Sequence, residues 1–112
     1  MKSDRPYLAH IADSITAIET YVVGGRDVFL AERLIQDAFV RNFEIIGEAA
    51  GGLSPAPRDA ADIPCGKVIA FRNRLIHSYW NVDPRLVWDV IEHELPVLKD
   101  AVKTLLSRMP QP

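Results

Sequence analysis

One short stretch of this chain combines three side chains whose chemistry suits the cleavage of a phosphodiester bond. Arg72, His77 and Tyr79 lie in the run Arg72-Asn73-Arg74-Leu75-Ile76-His77-Ser78-Tyr79. Arginine carries a permanent charge on a planar group that matches phosphate oxygens, and histidine exchanges protons near neutral pH. Tyrosine adds a hydroxyl that another enzyme could modify. The same residues near a helix end more commonly face solvent or pair with carboxylates, so the spacing alone does not establish a catalytic site.

Helical geometry constrains how these side chains meet. Asn73 and His77 are four residues apart and share one helix face, so Asn73 is placed to hydrogen-bond the imidazole and fix its tautomer. Arg72 and His77 are five apart, which is about 140° around the helix axis. Three arrangements remain open: a bent helix, an arginine that reaches around it, or a second copy of the helix across a two-fold axis.

The hydrophobic pattern predicts the helices that carry this motif. A first helix is indicated by apolar residues at steps of three and four, and Gly24-Gly25 ends it. A second helix, capped by Asp27, is predicted to run to about Ala50. The first of these seams comprises Leu8, Ile11, Ile15, Ile18 and Val22.

The second half of the chain is also predicted to be mainly helical. Residues 53–62 lack periodicity and predict a loop, and a third helix is expected from near Pro64 to about Tyr79 or Trp80. The last helix is predicted from about Pro84 to Leu106, with a kink at Pro96 because proline lacks an N–H. The sequence therefore predicts an all-α, antiparallel up-down bundle of four main helices within a single domain, 1–112.

Composition narrows the class of protein. The chain has 112 residues, of which 48% are apolar and 25% charged, as in an ordinary globular domain. Its net charge of −2 argues against coating nucleic acid by bulk electrostatics but leaves room for a local basic site. Cys65 is the single cysteine, which excludes an internal disulfide and suits a reducing cytoplasm. We expect neither a signal peptide nor a membrane span.

The residues around the motif are more specific than the motif itself. They resemble the HepT-like toxins of the HEPN superfamily over nearly the whole chain, in order and in spacing. The matching segments are Ile46-Gly47-Glu48-Ala49-Ala50, Leu53-Ser54, Ile63-Pro64, Lys67-Val68-Ile69, the motif itself, Val82-Asp83, Val87-Trp88 and Leu95-Pro96-Val97-Leu98.

This resemblance implies a fold, an activity and a partner. Members of the family are all-α homodimers and metal-independent ribonucleases that need no cofactor. They act as toxins on RNA such as tRNA or mRNA, in type VII-like pairs with an MntA-type nucleotidyltransferase antitoxin. By the motif, Arg72 and His77 would be catalytic, Asn73 would support the site, and Tyr79 would be the residue that the antitoxin adenylylates.

Two residues depart from the pattern of many relatives. Ser78 stands where they have glycine, and Cys65 stands where they have tryptophan. Serine restricts the backbone more than glycine, so we expect a difference in how the helix ends and how Tyr79 is presented. A second hypothesis also remains, in which the chain is a non-catalytic accessory subunit of a nucleotidyltransferase that binds nucleotide or partner through the Arg72 face.

Other polar and aromatic residues are weaker candidates for a functional role. His10 is interpreted as structural or exposed, and Cys65 as buried packing. A metal site at His93 is disfavoured, because the adjacent Glu92 and Glu94 point in different directions on a helix. Trp80 and Trp88 are expected in the core or in a dimer contact rather than as stacking platforms for bases. A row of arginines on the second helix is either a solvated stripe or a guide for RNA; it comprises Arg26, Arg33 and Arg41.

Overall fold

The computed structural model describes residues 4–54 and 63–109, and every regular element in these ranges is helical. This confirms the predicted all-α class. A 3-10 turn over Tyr79–Asn81 follows the fourth helix, and a π-helical stretch over Val90–Glu94 joins the last two helices without a break. The α-helices are α1 (Arg5–Tyr21), α2 (Arg26–Ala31), α3 (Arg33–Gly52), α4 (Cys65–His77), α5 (Pro84–Asp89) and α6 (Leu95–Arg108).

Polar contacts between the ends of helices show that neighbours run in opposite directions. The backbone N–H of Ser54 donates to the Asp4 carboxylate at 2.9 Å, which places the start of α1 beside the end of α3. Lys99 pairs with Glu19 at 2.8 Å, so the end of α1 lies beside the start of α6. The long helices α1, α3, α4 and α5–α6 thus form the predicted antiparallel bundle.

The core lies where the seams of the long helices meet, and it includes a continuous row of aromatic rings. Ring centroids of successive members are 5.2 to 6.4 Å apart, within the range of favourable aromatic pairs. The row ties α5 to α2, α2 to α3, and α3 to α4, and it runs Trp88, Phe29, Phe39, Phe43, Phe71.

The prediction of one continuous second helix is wrong. Glu32 adopts an extended conformation, with φ −112° and ψ 101°, and separates α2 from α3. The side-chain amide of Gln36 donates to the backbone carbonyls of Phe29 and Leu30 at 3.0 and 3.3 Å, and so satisfies acceptors that the break leaves without helical partners. Leu34, in the first turn of α3 after the break, is exposed to solvent.

The start of α2 also differs from the prediction. Gly25, not Asp27, occupies the N-cap position, with φ 88°, and Asp27 lies in the first turn. Glycine suits this position because other residues are strained at positive φ. Asp27 still favours the helix there, since a negative charge near a helix N-terminus interacts well with the helix dipole.

The last helix is irregular just before Pro96, the residue at which the sequence predicts a kink. Proline cannot donate a hydrogen bond to the carbonyl four residues earlier, and its ring crowds that carbonyl. Here Pro96 is the second residue of α6, directly after the π-helical stretch. The wider π turn therefore accommodates the proline while the helix continues.

The predicted loop at 53–62 lies mostly outside the described residues. Leu53 is buried and extended after the end of α3, with φ −69° and ψ 141°. Among the helices of the described residues, none is both long and apolar enough to cross a membrane.

Candidate active site

The motif helix α4 packs against α3 at a glycine. A Cβ atom built on Gly47 would lie 2.4 Å from Cγ and 2.5 Å from Cβ of Arg72, far inside van der Waals contact. The stem of Arg72 therefore occupies the space that any side chain at position 47 would need. This close approach fixes where the arginine leaves α4.

The guanidinium of Arg72 is held by two side chains. Nη1 donates to Oδ1 of Asn73 at 2.8 Å, and Nη2 donates to Oε1 of Glu48 at 3.3 Å. The Arg72 side chain is only 25% exposed, and its Nε is buried with no hydrogen-bond partner among the described residues. The arginine is thus oriented by its surroundings while its hydrogen-bonding capacity is not exhausted.

His77 is the last residue of α4 and is exposed to solvent. Its imidazole makes no side-chain hydrogen bond within the part of the chain that the structure describes. Among the described residues the predicted hydrogen bond between Asn73 and His77 is not formed, and the Asn73 amide oxygen accepts from Arg72. Arg72 and His77 leave a regular helix about 140° apart, so a single chain directs them to different sides of α4.

Tyr79 lies just past α4, in the 3-10 turn, and contacts α3. Its hydroxyl donates to Oδ1 of Asp37 at 2.7 Å, and Nε of Arg33 lies 3.8 Å from the other oxygen of that carboxylate. Partial burial and the hydrogen bond to Asp37 raise the pKa of Tyr79 above its ordinary value of 10.0, against a weaker lowering by Arg33. Tyr79 therefore stays a neutral phenol at physiological pH, with its proton directed at a carboxylate.

The two departures from the family pattern leave this geometry intact. Ser78 has φ −141° and ψ 33°, so the backbone makes no demand for a left-handed residue between His77 and Tyr79. The expected difference at the helix end is therefore not one of strain. Cys65 begins α4 as a buried residue, in agreement with its prediction as packing.

Asp37 and Glu48 are the site residues that the sequence analysis missed. They are eleven residues apart on α3, which is three turns and about 16 Å along one helix face. One contacts Tyr79 and the other contacts Arg72, so a single helix supports both ends of the motif. Their spacing indicates that both lie on one face of α3, but it identifies them as site residues only once the pairing of α3 with α4 is known.

An open depression of about 410 Å³ lies on the surface beside Tyr79. Its charged lining residues are Asp37, Arg41 and Glu44, all from α3. Arg33 and Arg41 are exposed on α3, whereas the break at Glu32 places Arg26 on α2. The predicted row of three arginines is thus divided between two helices.

The two tryptophans occupy opposite environments. Trp88 is buried and stacks near Phe29, as predicted for the core. Trp80 is 78% exposed and so lies outside the core of the chain, while a dimer contact at Trp80 stays a prediction. Trp80 lies in the 3-10 turn that begins at Tyr79. Because the side chain of Tyr79 contacts α3, the next side chain in the turn faces outward.

Comparisons with known proteins identify the family. The family model described as ribonuclease HepT-like matches residues 11–105, which is most of the chain. The chain belongs to this family. A protein of Caldanaerobacter subterraneus named as a candidate RNase is 36% identical over 110 residues, which cover 96% of this chain and 98% of that protein. One of Thermococcus cleftensis, named as a candidate ribonuclease HepT, is 33% identical over 93% of this chain and 96% of its own length.

A third relative places the HepT-like unit in a longer protein. It comes from Methanocaldococcus jannaschii, is named as a gamma-glutamylcyclotransferase and candidate RNase, and is 34% identical over 96% of this chain but only 50% of its own length. No solved structure gives a significant match to this chain. Membership of the HepT-like ribonuclease family confirms the predicted resemblance and the prediction of a ribonuclease.

Proposed function

We propose that this protein is a metal-independent ribonuclease toxin that acts in the cytoplasm as a homodimer, with Arg72 and His77 as its catalytic residues. The observation that carries the proposal is the arrangement of α4 on α3. Glu48, Asn73 and the space at Gly47 fix Arg72, while the same helix presents a solvent-exposed His77. An oriented cation and an accessible proton-transfer group are the two parts that cleavage by the ribose 2′-hydroxyl requires.

The chemistry follows from ordinary acid–base catalysis. His77 takes the proton of a 2′-hydroxyl as its oxygen attacks the adjacent phosphorus. The bond from phosphorus to the 5′-oxygen then breaks, and a second His77 or water returns a proton to that oxygen. Arg72 binds the phosphate oxygens and stabilises the negative charge that builds on them. Because the nucleophile is the 2′-hydroxyl, RNA is cut and DNA is not.

A second copy of the chain would complete such a site. In one protomer the arginine and histidine diverge around the helix axis, so both reach one phosphate most simply when two α4 helices face each other. A phosphate at this two-fold interface would meet two arginines and two histidines. One histidine then serves as the base and the other as the acid.

We expect the purified protein to cleave RNA in the presence of EDTA. The expected products carry a 2′,3′-cyclic phosphate on one side and a free 5′-hydroxyl on the other, since the 2′-oxygen displaces the 5′-oxygen. Gel electrophoresis of a labelled RNA checks this, with an all-DNA strand of the same sequence as the matched control. A folded protein that leaves the RNA intact, or that cuts both strands equally, would contradict the proposal.

We further propose that an MntA-type nucleotidyltransferase antitoxin neutralises this activity by adenylylating Tyr79. Tyr79 lies two residues after His77, beside the depression lined by Arg41 and Glu44. An added adenylate would introduce bulk and negative charge beside the motif that carries Arg72 and His77. It would repel the phosphate backbone much as phosphorylation does beside a basic site.

Co-expression with such an antitoxin is expected to raise the intact mass by whole adenylate units and to relieve growth arrest. Peptide mapping by mass spectrometry should place the addition on Tyr79. The Tyr79→Phe variant has the same ring without a nucleophilic hydroxyl and should remain unmodified. Modification of Tyr7 or Tyr21 in place of Tyr79 would refute this assignment.

A further inference from the structure

The contact between Tyr79 and α3 has the geometry of a nucleophile paired with a base. The phenolic hydroxyl donates to Oδ1 of Asp37 at 2.7 Å, a contact between residues 42 positions apart in the chain. Oδ2 of the same carboxylate lies 3.8 Å from Arg33 Nε, in an i, i+4 pair on α3. One carboxylate oxygen thus faces the tyrosine and the other faces a cation.

Local backbone hydrogen bonds and buried neighbouring side chains together maintain this arrangement. The backbone around Tyr79 is fixed by hydrogen bonds from Ser78 N–H to the Arg74 carbonyl and from Val82 N–H to the Tyr79 carbonyl, at 2.9 and 3.0 Å. Leu75 and Val82 on either side are buried. The hydroxyl is therefore held against Asp37 by the fold before any partner arrives.

A neutral phenol is a poor nucleophile toward phosphorus. The pKa of Tyr79 is raised, so phenolate is scarce at neutral pH and the proton must leave during the attack. A base within about 2.6–3.2 Å of the proton-bearing oxygen can remove it. Asp37 meets that distance, and Arg33, 3.8 Å from its other oxygen, lies where the third member of a nucleophile–base–orienter set would lie.

We propose that Asp37 is the general base for nucleotidyl transfer to Tyr79, a role that rests on the proposed function of Tyr79 as the modified residue. Tyr79 Oη attacks the α-phosphorus of a nucleoside triphosphate that the nucleotidyltransferase partner holds. The bond between Oη and the α-phosphorus forms, the bond from that phosphorus to the bridging oxygen of the β-phosphate breaks, and pyrophosphate leaves. The phenolic proton moves to Oδ1 of Asp37.

Asp37 and Arg33 would also accommodate the product of the transfer, an adenylylated Tyr79. Asp37 becomes neutral when it takes the proton, so it does not repel the new phosphodiester anion on Tyr79. As a carboxylic acid it can donate a hydrogen bond to an oxygen of that diester. Arg33, whose side chain is 82% exposed, lies close enough to pair with the diester charge.

The test compares the initial rate of transfer to wild-type protein and to the Asp37→Asn variant, with α-phosphate-labelled ATP and an MntA-type nucleotidyltransferase. Asparagine keeps the shape and the acceptor oxygen but cannot take the proton. We expect the rate to fall at least about tenfold, with the KM for ATP unchanged. Asp37→Glu, which keeps a carboxylate, should recover part of the loss.

The pH profile separates a base from a merely structural contact. Without Asp37, transfer depends on the phenolate that forms as pH rises, so the ratio of wild-type to variant rates should shrink between pH 7 and pH 9. Asp13→Asn removes an exposed carboxylate on α1 and should leave the rate unchanged. Thermal unfolding confirms that each variant is folded.

Two outcomes would overturn the inference in distinguishable ways. If wild-type protein is modified on Tyr79 and Asp37→Asn reacts at the same rate and with the same pH profile, Asp37 is not the base and the proposed function stands. If wild-type protein accepts no adenylate at Tyr79, the inference and the proposed mode of neutralisation fall together.

Discussion

Replacement of His77 with alanine is expected to lower the rate of RNA cleavage by at least about 100-fold, the usual minimum contribution of a general acid–base group. Stability should change by less than about 0.5 kcal/mol. The reason is that His77 is exposed at the end of α4, and its side chain makes no hydrogen bond to the described residues. Cleavage is measured on a labelled RNA in EDTA, and stability by urea unfolding.

The chain supplies its own matched controls for this change. His10 and His93 are also exposed, on α1 and in the π-helical stretch, and neither lies near the motif in sequence. His10→Ala and His93→Ala should leave cleavage unchanged, which excludes a general effect of losing an imidazole. Full activity in His77→Ala would show that the ribonuclease uses another proton-transfer group.

Gly47→Ala is expected to lower both stability and cleavage. The new Cβ would lie 2.4 to 3.1 Å from three carbons of the Arg72 stem, and one of these, Cβ at 2.5 Å, cannot move without moving α4. Overpacking of this kind destabilises by about 1–3 kcal/mol, against a gain of up to about 1 kcal/mol from the helix propensity of alanine. The net loss should appear as a lower urea midpoint, and the displaced arginine as slower cleavage.

Gly66→Ala provides the comparison. Gly66 lies in the first turn of α4, and a Cβ there meets nothing within 4 Å. This variant gains helix propensity without a clash, so its stability should stay the same or rise by up to about 1 kcal/mol. If Gly47→Ala proved as stable and as active as Gly66→Ala, the tight crossing of α3 and α4 would not be what positions Arg72.

Sequence pattern alone predicts much of this fold because the helices are amphipathic. The seam of α1 and the Asp83-Pro84 start of α5 are local signals, and both are confirmed. The break at Glu32 has no local signal, because the residues around it have a hydrophobic pattern typical of a helix. The carbonyls it frees are satisfied by Gln36, and that bond exists only once α2 and α3 have turned apart.

The candidate site also combines features that local sequence predicts with features that depend on tertiary packing. The motif residues are adjacent in sequence, so their presence on one helix could be predicted. Asp37 and Glu48 belong to another helix, and their contacts depend on how α3 and α4 align along their length. Arg72, which donates to Asn73, also donates to Glu48 on α3, so its orientation depends on the packing of these two helices as well.

The π-helical stretch before Pro96 also governs the spacing of the core residues on the last helix. The buried positions Val87, Ile91 and Leu95 are separated by two successive steps of four, whereas those that follow alternate between three and four. In a heptad pattern an extra step of this kind is a stutter, which turns the seam away from its partner unless the helix locally unwinds. The wider turn over Val90–Glu94 is such an unwinding. It keeps the face of α6 in phase with that of α5, so both halves of the helix bury the same side.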